Sequence, residues 1–136
     1  ATSSNRPADY AVTLPFISID VDIDLAAYTT LFNVPSGMPI VSPQGDVIAV
    51  DWLKMLDGDI DVSLSAAGVL PADTYWWSGS DQNGNGYVSG ANNCGTWLNT
   101  GTNARIGFAD TTNFAWIDAL TAPCNNWYYV LCIAYN

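Results

Sequence analysis

The sequence predicts an α+β fold, and three observations predict it. Residues 16–25 alternate apolar and polar side chains with a period of two, the pattern of a half-buried strand. Two short segments, 25–32 and 52–56, each follow an aspartate placed to cap a helix. The chain closes on Tyr-Tyr-Val-Leu-Cys-Ile-Ala-Tyr at 128–135, a run apolar on both faces and therefore expected to be a central, buried strand.

Each element follows from its residues. Residues 1–15 begin polar, carry Arg6 and Pro7, and read as an N-terminal arm, so that 16–136 form a single domain. In the first strand Ile17, Ile19, Val21 and Ile23 share one face and Asp20, Asp22 and Asp24 the other. That apolar face either packs on its own domain or adds to a neighbour's sheet, which makes it a candidate assembly strand. Asp24 then caps the first short helix, and Pro35-Ser36-Gly37 breaks it. Pro39-Ile40-Val41 and Val47-Ile48-Ala49-Val50 flank the turn Ser42-Pro43-Gln44-Gly45-Asp46 as a β-hairpin. Asp51 caps the second helix, which Asp57-Gly58 ends. Further strands are predicted around 75–77 and 105–108, set in long loops.

Composition bounds the chemistry. A chain of 136 residues suits one domain that buries roughly two-thirds of its unfolded surface. Charged residues are only 12%, and a net charge of −10 rests on aspartates against Arg6, Lys54 and Arg105. That balance excludes nucleic acid, heparin-like polyanions and anionic membrane as partners. It suits cations, calcium above all, which prefers carboxylate and carbonyl oxygens. The absence of histidine removes the commonest general base and zinc ligand. No apolar run reaches the ~18 residues of a membrane span. Low charge with abundant Gly, Asn, Thr and Ser points to an extracellular or cell-surface chain whose leader has been removed. Three cysteines then imply one disulfide and one leftover thiol.

The order Trp77-x-Gly79-Ser80-Asp81-x-Asn83-Gly84, then Cys94-x-x-Trp97, then Cys124 and Cys132 within Val-Leu-Cys-Ile, resembles the endostatin family, the C-terminal domain of collagens XV and XVIII. The stretch from Pro39 to Leu56 fits as well, so the resemblance covers about residues 38–135. It implies the C-type lectin-like fold: two short helices, a twisted antiparallel sheet, long loops, and a disulfide joining Cys94 to Cys124. It also implies a bond from Cys132 to an early cysteine, but this chain has none. Cys132 is therefore expected to be a buried thiol or the partner of a cysteine on another chain. The zinc and heparin sites of that family need histidines and arginines that are missing here. The Glu-Pro-Asn or Gln-Pro-Asp loop and Trp-Asn-Asp strand of sugar-binding C-type lectins are missing too.

Three candidate sites remain. Asp81, Asn83, Asn85, Tyr87 and Ser89 occupy the spacing of the first part of an EF-hand-like loop, with Gly86 at its sharp turn, so calcium is the one candidate cofactor. Position twelve of that loop is Asn92 where a bidentate Glu belongs, so further ligands, such as Asp73 or Asp110, would be needed. The alternative is a glycine–asparagine turn. The aspartates at 20, 22 and 24 and at 57, 59 and 61 are either solvated faces or cation bridges; an Asp-pair hydrolase lacks any feature that would raise one carboxyl's pKa. Trp76, Trp116 and Trp127 are the candidate ligand surface, with one tryptophan of the Trp76–Trp77 pair expected to face outward. The function these features imply is a non-catalytic, extracellular adhesion or ligand-binding module for protein or glycan surfaces. The alternative is a structural subunit of a virion, appendage or surface layer that assembles with copies of itself through its N-terminal strand.

Overall fold

The computed structural model describes residues 10–88 and 91–136. The chain is α+β, with short helices, antiparallel sheets and one disulfide. In order come β1 (Val12–Phe16), a 3-10 turn (Leu25–Ala27) running into α1 (Tyr28–Leu31), the hairpin β2 (Ile40–Val41) and β3 (Val47–Ala49), and α2 (Trp52–Met55). Then follow β4 (Tyr75–Trp77), α3 (Cys94–Trp97), β5 (Asn103–Phe108), a 3-10 turn (Phe114–Trp116), β6 (Leu120–Pro123) and β7 (Leu131–Tyr135). No helix among the described residues is long and apolar enough to cross a membrane.

Local capping builds the helices as the sequence predicts. Asp24 accepts from Ala27 N–H and Asp51 from Lys54 N–H, each satisfying an orphan donor of a first turn. The hairpin and the strands at 75–77 and 105–108 also form where expected.

The strand predicted over 16–25 does not form. β1 lies earlier, at Val12–Phe16, inside the segment read as an arm, and it pairs antiparallel with β7 from Val12↔Tyr135 to Phe16↔Leu131. Residues 1–9 of that arm lie outside the described residues. Beyond Phe16 the aspartates bond their own backbone. Asp20 Oδ1 accepts from Asp22 N–H and Ile23 N–H, and Ile19 N–H donates to Ile23 O at 2.8 Å. Asx-type turns thus take the donors a strand would need. Ile17 is buried in the core, whereas Val21 and Ile23 are exposed on a loop, so the four residues share no strand face.

The final strand also departs from expectation. β7 has one strand neighbour, β1, and Cys132 is an exposed free thiol. Leu131, Ile133 and Tyr135 pack on the core while Cys132 turns away from it. A two-stranded ribbon lying on a core covers one face only, so the apolar run does not make β7 central.

The main core joins Phe16, Tyr28, Trp52, Trp76 and Trp116 with apolar side chains such as Leu25 of the first 3-10 turn, Met55 of α2 and Ile48 of the hairpin. Phe16 sits at its hub, with ring centroids 5.7 Å from Trp52, 5.6 Å from Trp76 and 6.3 Å from Trp116. A second cluster, around Trp77, Ile106 and the half-cystine Cys94, lies on the sheet β4–β5–β6.

Candidate binding surface beside the Cys94–Cys124 disulfide

The bridge pairs Cys94 with Cys124, their Cα atoms 5.8 Å apart. It ties α3 to the end of the sheet, because Cys124 N–H donates to Thr102 O just before β5 and Asn93 bridges to Ala104.

α3 is a left-handed turn. Cys94, Gly95, Thr96 and Trp97 have φ of 54°, 59°, 58° and 66°. Only Gly95 adopts that region without steric penalty; the β-branched Thr96 is a true outlier there. The surroundings hold the turn in place. Buried Asn93 accepts from Thr96 N–H and donates through Nδ2 to Tyr87 O and Val88 O. Trp97 Nε1–H donates to Ser18 O at 2.9 Å, and its ring meets Trp77 edge to face. Strain of this kind persists where neighbours over-determine it, and it concentrates at functional sites.

The turn throws Leu98 outward, 89% exposed. An open cleft of about 410 Å³ follows, lined by Trp77, Trp97, Leu98, Asn99 and the disulfide. Three residues past Cys124 the chain carries Trp127, 97% exposed. Trp127 faces out because its neighbour faces in: Tyr128 packs edge to face on Trp77 at 5.0 Å, and Tyr129 exchanges backbone bonds with Tyr75 and Trp77. Asn125 and Asn126 beside it are exposed amides.

The other candidate tryptophans do not join this surface. Trp76 is 0% and Trp116 1% exposed, and both rings of the Trp76–Trp77 pair are buried. The reason is shared: the hub around Phe16 takes Trp76 and Trp116, and Trp77 fills the second cluster behind the disulfide. Sequence reasoning missed Leu98, Asn93 and the left-handed turn. The only signal was Gly95 within Cys-Gly-Thr.

The candidate calcium loop is built as a turn. Asp81 Oδ1 accepts from Asn83 N–H and Asn85 N–H, and Oδ2 from Asn85 Nδ2. Asn83 turns its amide away to Leu56 O, and Tyr87 O is taken by Asn93. Ser89 lies outside the described residues. Asp73 and Asp110 bond one another, Asp73 N–H donating to Asp110 Oδ2 at 2.9 Å. Among the described residues no three acidic or cysteine side chains converge as metal ligands. The Asp81 carboxylate thus serves a glycine–asparagine turn, the alternative reading of this segment.

Charge nearby is internally matched. Arg105 on β5 donates through Nε to Asp118 Oδ1 at 2.6 Å, an ion pair to the loop before β6, and through Nη1 to Thr121 Oγ1 on β6 at 2.8 Å. Burial pushes the Tyr87 hydroxyl above its ordinary pKa, with the Asp118 carboxylate adding in the same direction. The surface can thus offer an indole face, an aliphatic side chain and neutral amides, a combination suited to recognition. The chain matches no protein-family model and no curated protein.

Proposed function

We propose that the chain is a non-catalytic, extracellular or cell-surface binding module of C-type lectin-like, endostatin-like fold, which presents Trp127 and Leu98 to a glycan or protein ligand. One observation carries the reading: an indole 97% exposed lies three residues past Cys124, whose bridge to Cys94 holds a turn of residues at positive φ. An exposed tryptophan costs solvation and contributes nothing to packing, and indoles are the side chains most often found as anchors in binding patches. The flanking Asn99, Asn125 and Asn126 supply amide donors and acceptors without charge. The fold reading is supported by the antiparallel pairing of the first and last strands and by the Cys94–Cys124 bridge. A disulfide suits an oxidising compartment.

The test is an array of extracellular glycans and proteins probed with the native chain and with Trp127→Ala. Binding by the native chain that falls at least tenfold in the variant, whose melting temperature stays within a degree or so, is the expected result. A ligand held equally by both proteins places recognition elsewhere and overturns the reading.

A further inference from the structure

We propose that the free edge of β7 is a self-association surface, on which a second copy of this chain pairs antiparallel about a two-fold axis at Cys132.

The hydrogen-bond phase of β7 follows from one residue of its partner. Pro15 lies opposite Cys132 and has no N–H, so Pro15↔Cys132 is a non-hydrogen-bonded pair. The Pro15 carbonyl points the other way and accepts from the Tyr28 hydroxyl. By alternation, Leu131, Ile133 and Tyr135 bond inward to β1. Val130, Cys132 and Ala134 aim their N–H and C=O groups at the opposite edge. No main-chain partner meets those groups among the described residues. The two edges of the ribbon thus differ: Tyr28 closes β1 at Pro15, while β7 is left as an open template.

The environment selects the occupant. Beside the strand lies a groove of about 600 Å³, lined by residues of β7, β2 and the loop before it, and no side chain lining it is charged. A chain of net charge −10 repels its own copies wherever carboxylates face each other. Here no lining side chain adds a carboxylate to that repulsion. The edge is also self-complementary, as an isologous contact requires. With the axis at Cys132, that residue exchanges two main-chain bonds with its own copy, and Val130 meets Ala134 on either side. The β1–β7 ribbons join into one four-stranded sheet. Both Cys132 thiols lie on the outward face at a Cα separation of about 5.5 Å, within disulfide reach.

The thiol makes the pairing measurable. With oxidised glutathione, one Cys132 thiolate attacks the glutathione disulfide and releases a glutathione thiolate. The second copy's thiolate then attacks the protein sulfur of that mixed disulfide and expels the other glutathione, leaving one interchain bond and two reduced glutathiones. The experiment is native mass and light scattering on the full chain across a concentration series, for the native protein, Cys132→Ser and Cys132→Asp. The expected result is a reversible dimer for the native chain and Cys132→Ser, a covalent dimer of the native chain alone with oxidised glutathione, and a monomer for Cys132→Asp, which sets like charges together on the axis. Should Cys132→Asp fail to fold, Ala134→Pro removes an outward N–H of the same edge and takes its place. A native chain that stays monomeric to high micromolar concentration overturns the proposal. So does a Cys132→Ser monomer, or a dimer that survives Cys132→Asp.

Discussion

The indole N–H of Trp76 donates to the backbone oxygen of Trp116 at 2.8 Å, while the indole N–H of Trp116 is buried and meets no acceptor among the described residues. The rings pack 5.7 Å apart, so two similar side chains in one core make opposite use of the same polar atom. Gly107 permits the approach: a Cβ there would lie 2.1 Å from Trp116 O and 2.4 Å from Trp76 Nε1.

That asymmetry predicts unequal costs for equal substitutions. Trp76→Phe removes volume, loses the hydrogen bond and strands the Trp116 carbonyl, so it should cost about 3–5 kcal/mol. Trp116→Phe removes the same volume but discards a donor that was already unpaired, and should cost about 1–2 kcal/mol less. Urea denaturation midpoints of the two variants check the order. Equal losses would mean that the bond contributes nothing net.

Reduction of the disulfide gives the second prediction. Cys94 and Cys124 close a loop with a sequence separation of 30. Loop-closure entropy for that span is worth about 3–4 kcal/mol. The bridge also anchors a turn whose residues sit at positive φ and would relax once released. Cys94→Ala combined with Cys124→Ala should therefore lower stability by at least that amount, measured as the shift in urea midpoint. An unchanged midpoint would show that neighbouring contacts alone hold the turn.

The parts of the fold legible in the sequence are those that short-range chemistry decides. Asp24 and Asp51 cap because a side-chain oxygen reaches an N–H three residues on, whatever the rest of the chain does. The hairpin at 40–49 and the strand at 75–77 are also legible from local pattern. The Ile/Asp alternation after Phe16 failed because aspartate satisfies its own backbone, which a count of apolar positions does not weigh. Cys132 is the free thiol the sequence predicts, but its expected burial, and the expected exposure of Trp76, failed for a different reason. How many faces of β7 are covered, and which of Trp76, Trp116 and Trp127 the hub around Phe16 takes, depends on elements far along the chain. Within the candidate site, Trp127 and the disulfide were visible, the latter through resemblance. The left-handed turn was not, since one glycine in Cys-Gly-Thr is a weak signal for four residues at positive φ.

Alkaline pH should weaken the fold through Tyr28. Its hydroxyl is buried between the Pro15 and Ile17 carbonyls, and burial first, opposed by the Ile17 backbone hydrogen bond and reinforced by nearby Cys132, raises its pKa above the ordinary 10.0. A raised folded pKa means that the native state holds its proton longer than the unfolded chain. The contribution is therefore complete below the unfolded value of about 10 and is lost as pH climbs through the folded one. Tyr87 acts in the same direction. Tyr28→Phe should cost about 1–3 kcal/mol near neutrality, because carbonyls at the end of β1 lose their donor, and should flatten the decline above pH 10. Chemical denaturation repeated across that range checks both, and an alkaline limb identical in the variant would assign the loss to other groups.

Asp81 provides the last prediction, because its structural and metal-binding roles differ in what they require. As a turn residue its carboxylate accepts from two backbone N–H groups and one side-chain amide, bonds that Asn can partly keep and Ala cannot. Asp81→Ala should therefore destabilise the chain by about 1–2 kcal/mol and Asp81→Asn by less than half of that. A calcium site would rank the variants differently, since losing the charge in either one would remove most of the affinity. It would also make the native melting temperature rise with millimolar calcium by mass action. The turn geometry predicts the same melting temperature in calcium and in chelator. A rise of several degrees with calcium, abolished equally by both variants, would assign a calcium site to this loop instead.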